Sequence, residues 1–120
     1  MLYLGGGKRN PLFDKSDVFA KEIYAITTKF PKHELYGITF QIRRAGLSVI
    51  LNLVEGFARE SKKENRRFQS IAYGSLREAE YLLQFSLEQK YITKEDFSRV
   101  NTYLTEISKM LWTILYKKYD

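Results

Sequence analysis

Glu55 and Glu78 are carboxylates set in otherwise apolar stretches, and Arg44 is the cation best placed to meet them. An acid and base pair works when its surroundings drive the two pKa values apart, whereas one arginine beside both would keep both ionised. Those three residues therefore read as structure and not as a catalytic pair. A di-iron site in a helix bundle needs Glu-x-x-His on two helices. His33 is the only histidine, follows Pro31 by two residues, and has phenylalanine where that motif needs glutamate. It reads as a surface residue. The run Gly5-Gly6-Gly7-Lys8 lacks the spacing and the following Ser or Thr of a phosphate loop. The absence of cysteine removes thiol nucleophiles, disulfides and zinc-thiolate sites, and it fits a reducing compartment. No catalytic residue, metal ligand or cofactor is expected.

The chemistry that remains is that of charge. The chain carries a net charge of +6, and between Arg43 and Arg77 stand eight bases against three acids, so most of the excess falls in that stretch. Its densest part, "ARESKKENRRFQ", places Arg59, Lys62, Lys63, Arg66 and Arg67 around one turn. Phosphate contacts supply most non-specific affinity for nucleic acid, so this corner is the candidate site for RNA or DNA. The competing reading is a solvated turn that keeps an assembly soluble. No sequence-reading motif accompanies the bases, so binding there would follow charge and shape. Tyr73, Phe68, Tyr81, Tyr91 and Tyr103 are candidates to stack on unpaired bases, although aromatics at helical spacing more often belong to a core.

The elements that must position these residues are helices. A chain of 120 residues with 44% hydrophobic and 28% charged residues suits one globular domain. No apolar run reaches the ~18 residues of a membrane span, and the first residues do not read as a secretory signal, so a cytoplasmic location is expected. Val18, Phe19, Ile23, Ile26 and Phe30 recur at three- and four-residue steps, giving a first helix from about Asp14 to Lys29, ended by Pro31. A second helix is expected from about His33 to Arg59. Ser61 with Glu64 forms a capping box opening a third, which ends near Gln89, and Thr93 with Asp96 opens a fourth. Short links make sequential helices antiparallel, so the expected architecture is an all-α, up-and-down antiparallel four-helix bundle over residues 14–120. Residues 1–13 are expected to be a flexible arm, because three consecutive glycines resist ordering.

The second helix is apolar around most of its circumference. Ile42, Ala45, Val49, Leu53 and Phe57 lie to one side, and Leu47, Ile50, Leu51, Val54 and Ala58 cover much of the other. A bundle helix needs one apolar face, so this excess predicts self-association. The remaining strip carries Gln41, Arg44, Ser48, Asn52, Glu55 and Arg59. If it faces the third helix, Gln41, Arg44, Ser48, Asn52 and Glu55 should join Ser75 and Glu78 in a polar network, with the arginine bridging the carboxylates. On that helix Phe68, Ile71, Ala72, Ser75, Ala79, Leu82, Leu83 and Ser86 are expected to face the core. Gly46, Gly74 and Ser75 are small enough for another helix to approach closely.

Phe30-Pro31, Glu34, Tyr36-Gly37, Gln41-Ile42-Arg43-Arg44-Ala45, Ser48-Val49, Asn52-Leu53-Val54-Glu55-Gly56-Phe57 and Ala72-Tyr73-Gly74-Ser75-Leu76-Arg77-Glu78 together resemble the four-helix-bundle proteins encoded by intervening sequences in bacterial large-subunit rRNA genes. The resemblance runs from about Phe13 to the carboxyl end. It implies an accessory protein more than a ribosome component, and it implies a homopentamer. The similar accessory proteins of diversity-generating retroelements imply a basic barrel that binds nucleic acid and a reverse transcriptase. The family commonly has proline where this chain has Ile50, so the second helix should keep its hydrogen bond there and run straighter. The expected partners are other copies of the chain, RNA or DNA, and another protein; a scaffold that binds only protein is the alternative function.

Overall fold

The structure, a computed structural model, describes residues 3–4 and 8–117. Four helices account for nearly all of it: α1 (Pro11–Thr27), α2 (Ile38–Phe57), α3 (Lys62–Glu88) and α4 (Lys94–Tyr116). Each packs on its neighbours in sequence, and α1 closes the bundle against α4. Two residues on either side of the glycine run, Tyr3–Leu4 and Lys8–Arg9, pair as a short antiparallel ribbon ahead of α1. The glycines themselves, for which flexibility is expected, lie outside the described residues.

Helix α1 starts three residues earlier than hydropathy suggests. The Asn10 side chain accepts from the amides of Leu12 (2.9 Å) and Phe13 (3.4 Å), and Pro11 occupies the first turn, where a missing N–H does no harm. Leu12 and Phe13 are buried, so the core includes residues assigned above to the arm. Between α1 and α2 the single helix expected from His33 is broken. Lys32–Glu34 forms one 3-10 turn, and α2 begins only after Gly37. A Cβ on Gly37 would lie 2.5 Å from Glu34 Oε1. That missing side chain lets the Glu34 carboxylate accept from the Ile38 amide (3.3 Å), standing in for a cap that Gly37 has no side chain to make. From Ile38 the helix is continuous through Ile50 to Phe57.

Ser61 and Thr93 cap as expected, each accepting the amide three residues on at 3.1 Å. The carboxylate of Glu64 does not reach back to the Ser61 amide; it pairs with Arg67 instead. Helix α3 ends through Lys90, whose φ of 63° is left-handed, and the Tyr91 amide returns to the Ser86 carbonyl at 2.8 Å.

The core is continuous through all four helices, with Phe19, Ile23, Ile42, Leu53, Leu76, Leu83, Ile107 and Leu111 fully buried. The inward face of α3 is rotated from the expected one. Leu76 is in the core, in line with Ala72, Ala79 and Leu83, while Ile71 is 41% exposed. Both rows have helical spacing, and only the direction of approach of α2 and α4 chooses between them.

Candidate nucleic-acid interface and the neighbouring polar seam

The five bases of the α2–α3 corner occupy three different settings. Arg59 and Arg67 flank the Phe68 ring, with guanidinium carbons 5.1 and 4.6 Å from its centroid. Arg59 also pairs with Glu55, and Arg67 with Glu64 at 3.2 Å. Arg66 turns the other way and donates to the Leu115 carbonyl in the last turn of α4. Lys62 and Lys63 are exposed and, among the described residues, have no ion-pair partner. They occupy the first two positions of α3, where the helix dipole is positive and a cation is disfavoured by ~0.3–1 kcal/mol. Their placement therefore works against the stability of α3.

The polar strip divides into separate groups along the α2–α3 contact. Arg44 donates to Glu78 Oε1 at 2.8 Å and to Gln41 Oε1 at 3.4 Å. One turn further along, the hydroxyls of Ser48 and Ser75 lie 2.9 Å apart, and Asn52 Nδ2 donates to the Ser48 carbonyl and hydroxyl at 2.8 and 2.9 Å. Glu55 stands apart from both groups, paired with Arg59. Arg44 thus bridges a glutamine and one glutamate, not two glutamates, because Glu55 is three helical turns away from it. Nor is the seam buried within one chain. The Arg44 and Glu78 side chains are about half exposed, so the pair is worth only ~0–1 kcal/mol in the protomer.

Beside this seam lies the surplus apolar surface. Leu51 is 55% and Phe40 53% exposed on α2, with Leu47 and Val54 between and below them and Ile71 across the seam on α3. Phe57 is half exposed and meets Phe13 edge-on at 6.1 Å. Gly74 is equally open, and a Cβ built there meets nothing within 4 Å. The other two helical glycines serve contacts inside the chain. A Cβ on Gly46 would sit 3.2 Å from Ile23, and one on Gly56 would sit 2.9 Å from Phe68 Cβ and 3.1 Å from the Asn65 carbonyl. Gly56, which the sequence reading did not single out, thus sets the closeness of α2 to α3 directly behind the basic corner.

At the opposite pole, Glu34 also accepts from the Tyr91 hydroxyl at 2.9 Å, and Phe30 packs on the Tyr91 ring at 5.5 Å. The Tyr91 hydrogen bond, then the Ile38 amide, hold the Glu34 carboxyl below its ordinary pKa. The same bond raises the Tyr91 phenol. Tyr91 is therefore engaged in the fold, and Tyr103 packs against the core, whereas Tyr81 is well exposed.

Among the described residues no group of three or more His, Asp or Glu side chains is arranged to hold a metal ion, and no helix is long and apolar enough to cross a membrane. What the geometry defines is an all-α four-helix bundle with a basic corner and an exposed apolar flank. Residues 8–113 match the family model described as 23S rRNA-intervening sequence protein, and the chain belongs to that family. It is also similar to a crystal structure from Bacteroides thetaiotaomicron, described as a protein with unknown function from the S23 ribosomal protein family. The two share 29% identity at a TM-score of 0.79, with 88% of this chain and 99% of that one covered. No functionally curated protein matches it in sequence.

Proposed function

We propose that this chain is a non-enzymatic accessory protein whose copies assemble into a ring, five being the number that the family resemblance implies, and that the ring binds RNA or DNA through the α2–α3 corner. The observation carrying the nucleic-acid reading is the pair of unpartnered lysines on the positive end of α3, beside Arg59, Arg66 and Arg67. A phosphate there meets both lysines and the free amides of the first turn, so it offsets the unfavourable placement of the lysines. Assembly is supported by the exposed Leu47, Leu51, Val54 and Ile71, which would be covered by a second copy.

A labelled structured RNA titrated at two salt concentrations tests the reading. With about four phosphate contacts per site, affinity should fall roughly a hundredfold between 50 and 200 mM salt. Changing Lys62, Lys63, Arg66 and Arg67 together to Glu should abolish it; binding that survives the change removes the corner from consideration. Light scattering should give a multiple of the 14.2 kDa chain mass. The alternative, a scaffold that binds only protein, is favoured by one feature. A groove of about 410 Å³ lies between Tyr24, Leu35, Tyr36, Phe40 and Arg43, with Tyr36 almost fully exposed. A chain that shows no RNA affinity at low salt belongs to that class.

A further inference from the structure

The flank of α3 that turns toward α4 carries an arrangement distinct from the polar seam. Along α3, Lys62, Arg66, Tyr73 and Arg77 fall in one row at helical spacing, continuous with the basic corner. Facing them on α4 is a second row, Lys109, Trp112 and Tyr116, again at steps of three and four. Between the rows is a surface hollow of about 390 Å³ walled by Tyr73, Ser108, Lys109, Trp112 and Thr113. The Tyr116 ring meets Tyr73 at 6.0 Å and 71°, and Trp112 at 6.1 Å and 53°. Rings meeting at such angles contact edge to face and are not stacked face to face. Trp112 and Tyr116 are each half exposed, although the core row of α4, Val100, Leu104, Ile107, Leu111 and Leu115, runs directly beside them and is buried. Leaving rings of this size in water forgoes the large apolar burial that aromatic side chains otherwise provide. Glu80, an acid on the same side of α3, is taken up by Arg77 at 3.1 Å.

From this juxtaposition we infer that the α3–α4 flank is a binding track for single-stranded nucleic acid, with Trp112 and Tyr116 stacking on unpaired bases, Tyr73 backing them from the core side, while Lys62, Arg66, Arg77 and Lys109 follow the phosphates. The inference rests on the nucleic-acid reading of the basic corner and deepens it from a polyanion to a strand with free bases. Half-exposed rings beside a line of cations are what sequence-tolerant single-strand recognition uses, since every base offers a π-face. A duplex keeps its bases stacked inside, so it would gain from the cations alone.

Trp112 is the only tryptophan of the chain, so its fluorescence reports on this surface directly. The full chain is titrated at low salt with labelled oligo(dT), oligo(rU) and a duplex of equal length, following label anisotropy and Trp112 emission together. Both single strands should bind about tenfold more tightly than the duplex and should quench Trp112. The variant W112A/Y116A should lose roughly tenfold or more in single-strand affinity while its duplex affinity stays within about twofold. Anisotropy changes without quenching, or unaltered single-strand affinity in the variant, overturn the track and leave the phosphate-led corner standing. If no oligonucleotide binds at low salt, both fall. If W112A/Y116A changes the mass of the assembly, the rings belong to a contact between copies and the track is overturned. The quenching measurement uses the unaltered chain and decides the matter even if the double variant fails to fold.

Discussion

Helix α3 meets its surroundings in opposite ways at two levels. Near its start it presses on Gly56 of α2 so closely that no side chain fits between them. Two turns after Phe68, at Gly74, it faces open space, although a glycine within a helix costs ~1 kcal/mol relative to alanine. The first glycine is explained by the chain itself and the second is not. The same division runs along α2, where Ile42, Val49 and Leu53 are buried while Leu47, Leu51 and Val54 remain partly in water. One set of residues builds the core of the bundle, and the other lies outside it.

The sharpest way to break this contrast is at the tight crossing. Gly56→Ala should destabilise the chain by ~1–3 kcal/mol in urea unfolding, because the new methyl group must displace Phe68 and the Asn65 backbone. A neutral result would mean that the crossing is looser than it looks. Tyr91→Phe, at the far pole, provides a comparison that touches neither glycine. The lowered Glu34 pKa contributes stability above the unfolded carboxylate range, lost as pH falls through the folded value. The raised Tyr91 pKa contributes stability below the ordinary tyrosine range, lost as pH rises through its folded value. The stability difference between wild type and Tyr91→Phe should therefore be flat near neutral pH and shrink at both extremes; a difference independent of pH would remove the hydrogen bond as its cause. Gly74→Ala should stabilise the protomer by up to about 1 kcal/mol through helix propensity alone. If a copy packs there, the same change should lower the mass seen in dilute solution, whereas an unchanged mass would place the contact elsewhere. The smallest effect is expected of Arg44→Ala, within ~1 kcal/mol in urea, since its ion pair with Glu78 is half exposed.

Much of the bundle could be read from the chain because helix starts carry local chemistry. Ser61 and Thr93 each bond an amide three residues away, and that is visible as spacing. Asn10-Pro11 is the same kind of signal, masked by a glycine-rich neighbourhood that draws attention to disorder. The break at Gly37 was missed because it depends on a Glu34 carboxylate folding over the helix start, a three-dimensional fact. Choosing Ile71 over Leu76 for the core failed for a related reason, since periodicity finds rows but does not say which row another helix will cover. Of the polar strip, angular position put Gln41, Arg44, Ser48 and Asn52 on one side of α2, but the individual Arg44–Glu78 and Ser48–Ser75 pairs needed the packed helices, and Glu55 lies too far along the axis to share Arg44. The basic corner was plain in composition. Trp112 and Tyr116 were not, because only burial separates them from the core row next to them.

The first turn of α1, the last turn of α4 and the α2–α3 link all lie at one pole, where Asn10, Phe13, Phe57, Asn65 and Ile114 wall a common hollow of about 240 Å³ and Arg66 bonds to Leu115. Any fusion tag or surface tether attached near either of these helix ends would crowd the lysines at the head of α3. A dye or an immobilisation point is better carried by the exposed turn around Lys90, at the other end of the rods, where it leaves that neighbourhood clear.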